Sequence, residues 1–361
     1  MNSKRILLLI LTLFFAWSKT IYPYCDANIT SNTPTNHVIA EESDESENKP
    51  EDKYKLPFEG LTNDAAGIGE TEDEEHKEEE LSPEAKKFYD DMDEIVKKYI
   101  GNFTKNGGKG TIGIYIKDFN TGYEYDYNGS KVSDNYEGEG FFKTASTCKM
   151  TAAAIVYYLN FIGELDIDRE YTDLITGDKY NMKKLTYKMI THSVNGYFNT
   201  LLRHFGNAKM NEMFKQLGLK NTYVYSEIGP APNMSEKSNI QRYGISRSPR
   251  TTPRDLGHVL ELLHKGSAFG EENSRYFAES MKNNIYSNRL PKGIDYKSPV
   301  GHKTGTSIAD GVYNDAGIVY LKDNPYIIVV MSYGSQSSVQ NVYHKISKDV
   351  YNYMMAIHPN M

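Results

Sequence analysis

The chain has 361 residues, 39% of them hydrophobic, and a formal net charge of −7, enough material for one large domain of about 250 residues with extensions, or for two smaller ones. Its two cysteines, Cys25 and Cys148, form neither a C-x-x-C pair nor a His/Cys cluster, which argues against structural zinc and a disulfide framework. Lysine and arginine are scattered without a dense stripe, so no nucleic-acid partner is expected, and nothing calls for a cofactor.

Residues 1–25 read as a signal peptide or N-terminal anchor. A basic start, MNSKR, precedes a 12-residue apolar run at 6–17, which is short for a membrane span and suits export. The expected location is the cell surface or the extracellular space, with residues 6–17 anchoring the chain where the signal is retained. Cys25 is a poor lipidation site, because the bulky YPY precedes it. Residues 26–81 read as an acidic disordered linker: positions 41–80 hold 17 Asp and Glu against 4 Lys, with few large apolar residues. The remaining 82–361 form the expected folded, catalytic domain and are mildly basic.

That domain opens with LSPEAKKFYDDMDEIVKKYI, where Ser82 caps, Pro83 takes the first helical position, and Phe88, Met92, Ile95 and Ile100 recur at helical spacing. GTIGIYIKDFNTGYEYDYNG alternates apolar and polar residues about the turn at 120–122, as a hairpin does. Helical patterns follow from about 146 to 217, and again in TTPRDLGHVLELLHKG. Three strands, SPVGHKTGTS, GVYNDAGIVYL and NPYIIVVMSYG, then lead into a last helix, VQNVYHKISKDVYNYMMAI. This order predicts an α+β fold, an α/β sandwich in which one antiparallel sheet from both chain ends carries flanking helices and an inserted all-helical lobe.

Three short motifs carry the chemistry. In TASTCKM, Ser146 and Lys149 lie three apart, so on a helix the amine reaches the hydroxyl. Burial among Ala152, Ala153, Ile155 and Val156 would lower the lysine pKa enough for it to accept a proton. Alone, S-x-x-K is also ordinary helix grammar, a capping serine and a solvated lysine. In THSVNGYFN, Ser193 and Asn195 lie two apart where a helical pattern breaks. In PVGHKTGTS, strand alternation sends Lys303 and Gly305 to one face and His302 and Thr304 to the other. Gly305 would let a ligand approach the backbone, and the N–H of Thr306 would point at a substrate oxygen.

S-x-x-K, S-x-N and K-T-G in this order are the set of the serine β-lactamases and penicillin-binding proteins. The sequence resembles that superfamily over roughly residues 85–361 and is most similar to class A β-lactamases. The resemblance implies that Ser146 attacks a carbonyl, Lys149 activates it, and Ser193 relays the proton to the leaving nitrogen. Asn195 would hold the substrate's side-chain amide, Lys303 and Thr304 its carboxylate, and the N–H groups of Ser146 and Thr306 an oxyanion. The substrate would be a β-lactam or, in a D,D-peptidase, a D-Ala-D-Ala peptide; a non-hydrolysing sensor or surface module keeps the same fold. A monomer is expected.

Two departures bear on hydrolysis. Class A enzymes hold their water with a glutamate on an Ω-loop, followed four residues later by asparagine. Here Glu227 and Glu236 both fit by position, yet the offset finds Ala231 and Ile240. The middle of S-x-N is Val194 where the family has Asp, which removes an anchor for that loop. Acylation is therefore better supported than deacylation. Other residues read as structural: His192 and His302 beside motif residues, Tyr197-Phe198-Asn199 as packing, Cys148 as a small buried hydrophobe, and the 29 tyrosines as composition. Arg289 in NRLPKG is a candidate to reach a substrate carboxylate.

Overall fold

A computed structural model describes residues 81–357 apart from 102, 106–107, 128–140, 230–234 and 323. The segment expected as signal or anchor, and all of the linker except Leu81, lie outside the described residues. The first helix, α1 (Pro83–Ile100), starts as its sequence indicates: Ser82 Oγ accepts from Ala85 N at 3.2 Å, Pro83 follows it, and Phe88, Met92 and Val96 are buried. Among the described residues no helix is long and apolar enough to cross a membrane.

A five-stranded antiparallel sheet contains β1 (Thr111–Asp118), β2 (Glu124–Tyr127), β3 (Val300–Ser307), β4 (Val312–Val319) and β5 (Tyr326–Tyr333) in the order β2-β1-β5-β4-β3. The two ends of the chain meet where β1 pairs with β5, Ile114 opposite Val330. Alternate side chains serve two cores. Ile112, Ile114, Ile116, Ile328 and Val330 pack with α1 and the last helix, α9 (Gln336–Ile357), while Tyr115, Ile327, Val329 and Met331 face the helical lobe. The alternation expected in β1 is therefore apolar on both faces, since five consecutive residues, Ile112–Ile116, are buried. Covered on both sides, the strand has no solvent face to keep polar.

The lobe is built from α2 (Cys148–Phe161), α3 (Met182–Thr191), α4 (Asn195–Phe205), α5 (Asn207–Gln216), α6 (Glu236–Tyr243), α7 (Pro253–Lys265) and α8 (Gly270–Lys282). The helical block read at 146–217 contains a small hairpin, Glu170–Thr172 paired with Lys179–Asn181. Helix α2 is buried nearly all round, which makes it the axis of the lobe. Its N-terminus points at β3.

Candidate active site

Ser146 sits in a 3-10 turn, Ala145–Thr147, just ahead of α2. It does not cap the helix, because Thr147 holds that position. The turn is strained: Ala145 has φ +44°, which for a non-glycine residue costs about 1–3 kcal/mol. Several contacts hold it. Thr147 donates to Thr144 O from both N and Oγ1, at 3.1 and 2.7 Å. Asn314 Nδ2 of β4 donates to the carbonyls of Lys143 and Thr144 at 2.9 and 3.0 Å. Lys143 N donates to the Tyr333 hydroxyl of β5 at 2.8 Å. The sheet thus fixes the serine from behind.

Gly305 completes this support in a way the sequence reading did not anticipate. A Cβ at this position would lie 2.5 Å from Thr144 O and 3.0 Å from Thr147 N. The absent side chain admits the backbone of the serine turn, where the sequence reading had a ligand approaching.

Lys149, in the first turn of α2, is fully buried, and its Nζ donates to Ser146 Oγ and Asn195 Oδ1, both at 2.8 Å. Burial lowers its pKa to about 8. Lys303 on β3 is also buried and donates to Ser193 Oγ at 3.0 Å and Thr304 O at 2.8 Å. Burial, reinforced by the charge of Lys149, brings its pKa to about 7. Ser193 has φ +57° and lies between α3 and α4; it and Ala145 are the non-glycine residues of positive φ among those described. Backbone strain is concentrated where reactive hydroxyls are presented.

A cavity of about 430 Å³ opens over Ser146, with Asn195, Glu227, Gly229, Ser226 and Thr306 in its walls. Thr304 does not line this cavity. It lines a second cavity of about 170 Å³ with Arg289 and Tyr313, and Thr306 borders both. Arg289 is buried and donates to the carbonyls of Gly305 and Asn314 at 3.3 and 2.6 Å, and to Thr306 Oγ1. It braces the outer end of β3.

The two carboxylate candidates differ. Glu236 is exposed in the first turn of α6 and lines neither cavity, so the structure does not bring it to Ser146. Counting back from TTP fails because α6 itself occupies that distance. Glu227 lies in the cavity wall, but its Oε2 accepts from Arg203 Nη1 at 3.0 Å, and its Oε1 accepts from Arg242 Nη1 and from the Tyr243 hydroxyl, the latter at 3.1 Å. Arg203 is in turn held by Asp173 at 2.5–3.1 Å. Lys149 makes no bond to Glu227.

The loop anchor lost with Val194 is replaced by Asn199. Its side chain accepts from Ile228 N at 2.9 Å and donates to Ile228 O at 3.2 Å, a bidentate clamp where the sequence suggested packing. Next to it, Gly229 lies so close to Asn195 that a Cβ would fall 2.2 Å from Nδ2. His192 is exposed and contacts Thr191 Oγ1, while His302 is buried against Asp315 at 2.8 Å; neither bonds to Ser146 or Ser193. Cys148 is buried, its thiol pushed up by burial. Arg203, Arg242, Tyr243 and Asn314 were missed in the sequence, and Asn199 was read there as packing, since only the folded contacts reveal what they hold.

A family model described as the beta-lactamase enzyme family matches residues 92–354. Beta-lactamase CARB-4 from Pseudomonas aeruginosa is 24% identical over 249 residues, covering 63% of this chain and 78% of that protein. For CARB-3 from the same organism the match is 24% over 197 residues, and spans 62% of that protein. Among solved structures, PBP-A superposes with a TM-score of 0.60 at 20% identity, covering 74% of this chain and 96% of that one. A beta-lactamase from Sphaerobacter thermophilus DSM 20745 gives 0.59 at 18%, covering 74% and 98%. A variant of PBP-A, at 0.59 and 21%, is an acyl-enzyme complex with penicillin G.

Proposed function

Because the chain belongs to the beta-lactamase enzyme family, we propose that it is a serine acyl-transfer enzyme whose Ser146 opens β-lactam rings. The observation that carries this reading is the bond between Lys149 Nζ and Ser146 Oγ at 2.8 Å, with the amine buried and its pKa near 8. At neutral pH a useful fraction of the amine is unprotonated and takes the serine proton as Oγ attacks the lactam carbonyl. The C–N bond then breaks, and the nitrogen receives its proton through Ser193, whose hydroxyl is held by Lys303. The N–H groups of Ser146 and of Thr306 on the edge strand stabilise the oxyanion. Asn195 and Gly229 bound the acyl side of the pocket, and Thr306, which also borders the neighbouring cavity of Thr304 and Arg289, its carboxylate side.

A second reading is favoured by the ion pairs of Glu227. With no free carboxylate over Ser146 among the described residues, the acyl-enzyme is long-lived, as suits a D,D-peptidase acting on stem peptides ending in D-Ala-D-Ala. One experiment separates the two. A chromogenic cephalosporin should give a burst matching the enzyme concentration, followed by slow turnover, and Ser146→Ala should abolish both. Rapid turnover without a burst would restore a β-lactamase of ordinary efficiency, and an unchanged burst in the alanine variant would remove Ser146 as the nucleophile.

A further inference from the structure

Acylation ends when the bond between the lactam carbon and nitrogen breaks, and the nitrogen leaves with the proton that Lys149 took from Ser146. Ser193 passes that proton on, its hydroxyl held by Lys303 at 3.0 Å. Proton transfer of this kind needs hydrogen-bond reach, about 2.6–3.2 Å, so the separation of the Ser193 turn from β3 governs it. The two groups belong to different parts of the molecule. Ser193 follows α3 in the lobe, and Lys303 lies on the edge strand of the sheet.

A short segment after α8 ties these parts together. Asn284 is buried, and its Nδ2 donates to the carbonyl of His302 at 2.9 Å. That carbonyl belongs to the peptide bond joining His302 to Lys303. The other end of the same amide, Oδ1, accepts from Tyr286 N at 2.9 Å and fixes the turn of the segment. Between them, Ile285 N donates to the carbonyl of Thr191 at 3.2 Å. Thr191 ends α3, two residues before Ser193. A single step along the chain, from Asn284 to Ile285, therefore spans from the strand of Lys303 to the helix that presents Ser193. The side chains of Ile285 and Tyr286 are exposed, so these polar bonds, rather than apolar burial of those side chains, hold the segment.

We propose that Asn284 is a positioning residue that sets the reach between Ser193 and Lys303, and with it the delivery of the proton to the leaving nitrogen. The proposal rests on the reading that Ser146 is acylated with Ser193 as the relay. Without the Asn284 amide, β3 and the end of α3 lose their shared spacer, and a shift approaching 1 Å at the relay costs up to about 10²-fold in rate.

The test uses the dependence of the relay on the leaving group. A lactam nitrogen must be protonated to leave. In an acyclic thioester with the same acyl side chain, Ser146 Oγ bonds to the carbonyl carbon, the C–S bond breaks, and sulfur departs as a thiolate, whose acid has a pKa of about 8.5, while the proton stays on Lys149. The rate at which each compound adds its acyl mass to the full protein is measured for the unmodified protein, Asn284→Ala, Asn284→Ser, Asn283→Ala and Ser193→Ala. Asn284→Ala should slow acylation by the penicillin about ten-fold or more, in the rate constant rather than in the half-saturating concentration, and acylation by the thioester by no more than about two-fold. Asn284→Ser, whose short hydroxyl can still serve Tyr286 N but does not reach His302, should show the same selectivity. The ratio of the two rates in one sample is independent of how much of a variant is folded. Asn283→Ala, one residue away, should leave both rates unchanged. An equal loss with both compounds would overturn the proposal and make Asn284 a packing residue, as would penicillin rates within two-fold of the unmodified protein. Ser193→Ala should show the largest discrimination; an equal effect of that variant on both compounds would strike down the relay itself, and no acylation of the unmodified protein by the penicillin would strike down the acylation reading.

Discussion

Behind one wall of the cavity two buried lysines, Lys149 and Lys303, meet hydroxyl, amide and carbonyl oxygens. On the other wall a buried glutamate, Glu227, meets two arginines. The difference decides what each group does. A cation taken out of water without a counter-ion has its charged form disfavoured, so it becomes a proton acceptor near neutral pH. An anion given two guanidinium partners is fixed by them and holds the loop in place. On the proposed reading the first wall serves acylation, and the second rigidity.

The largest break in this comparison is Lys149→Met. It removes the proton acceptor from the first wall, and acylation by a chromogenic cephalosporin should fall by roughly 10² to 10⁴. In the unmodified protein acylation should rise with pH across about 7–8, where the two coupled lysines titrate. Stability rises with pH as activity does. Burial holds both lysines below their ordinary value, so between about pH 7 and 10 the unfolded chain binds more protons than the folded one, and stability rises with pH across that window. Lys149→Met should flatten part of that rise and increase the midpoint of thermal unfolding at pH 7 by a few degrees, on the order of 2 kcal/mol. An equal loss of activity and stability would mean that the lysine is a packing residue.

The first wall was legible in the sequence because its information is local. A three-residue spacing puts Ser146 and Lys149 together, and strand alternation puts Lys303 toward the lobe. The sheet read from both chain ends was also legible, since β1 and β5 are apolar runs and β2 follows β1 across a turn. The second wall was not. Arg203 lies 24 residues before Glu227 and Arg242 lies 15 after it, and no period links them. Helix α8 was overlooked because it begins at Gly270 without a capping side chain. The hairpin at 170–181 was overlooked because its strands are three residues long and too short to show alternation.

Gly305→Ala sharpens the comparison by moving the first wall alone. Its Cβ would meet backbone atoms of Thr144 and Thr147 at 2.5 and 3.0 Å, so either β3 or the serine turn must shift. A displacement approaching 1 Å at the reacting atoms costs up to about 10²-fold in rate, and the strain costs about 1–3 kcal/mol. Gly196→Ala, where a Cβ meets nothing within 4 Å, is the control and should leave acylation nearly unchanged. Unfolding curves and burst rates on the two variants check both halves of the statement, and equal behaviour would mean that the serine turn yields to β3.

The smallest effect tests the second wall without touching Glu227. Asn199 is fully buried and its amide closes two bonds to the backbone of Ile228, one residue beyond the glutamate. Asn199→Leu keeps the approximate volume but leaves that N–H and carbonyl unpaired, at a cost of about 1–3 kcal/mol. Since the serine turn is held by Asn314 and Tyr333, acylation should change by no more than a few-fold. The loop should open more readily, and exchange of the Ile228 amide should quicken by about ten-fold or more relative to amides of β4. A neutral outcome in both exchange and stability would return Asn199 to a packing role and leave the ion pairs of Glu227 as what holds the loop. A large loss of acylation would instead show that the two walls are mechanically one.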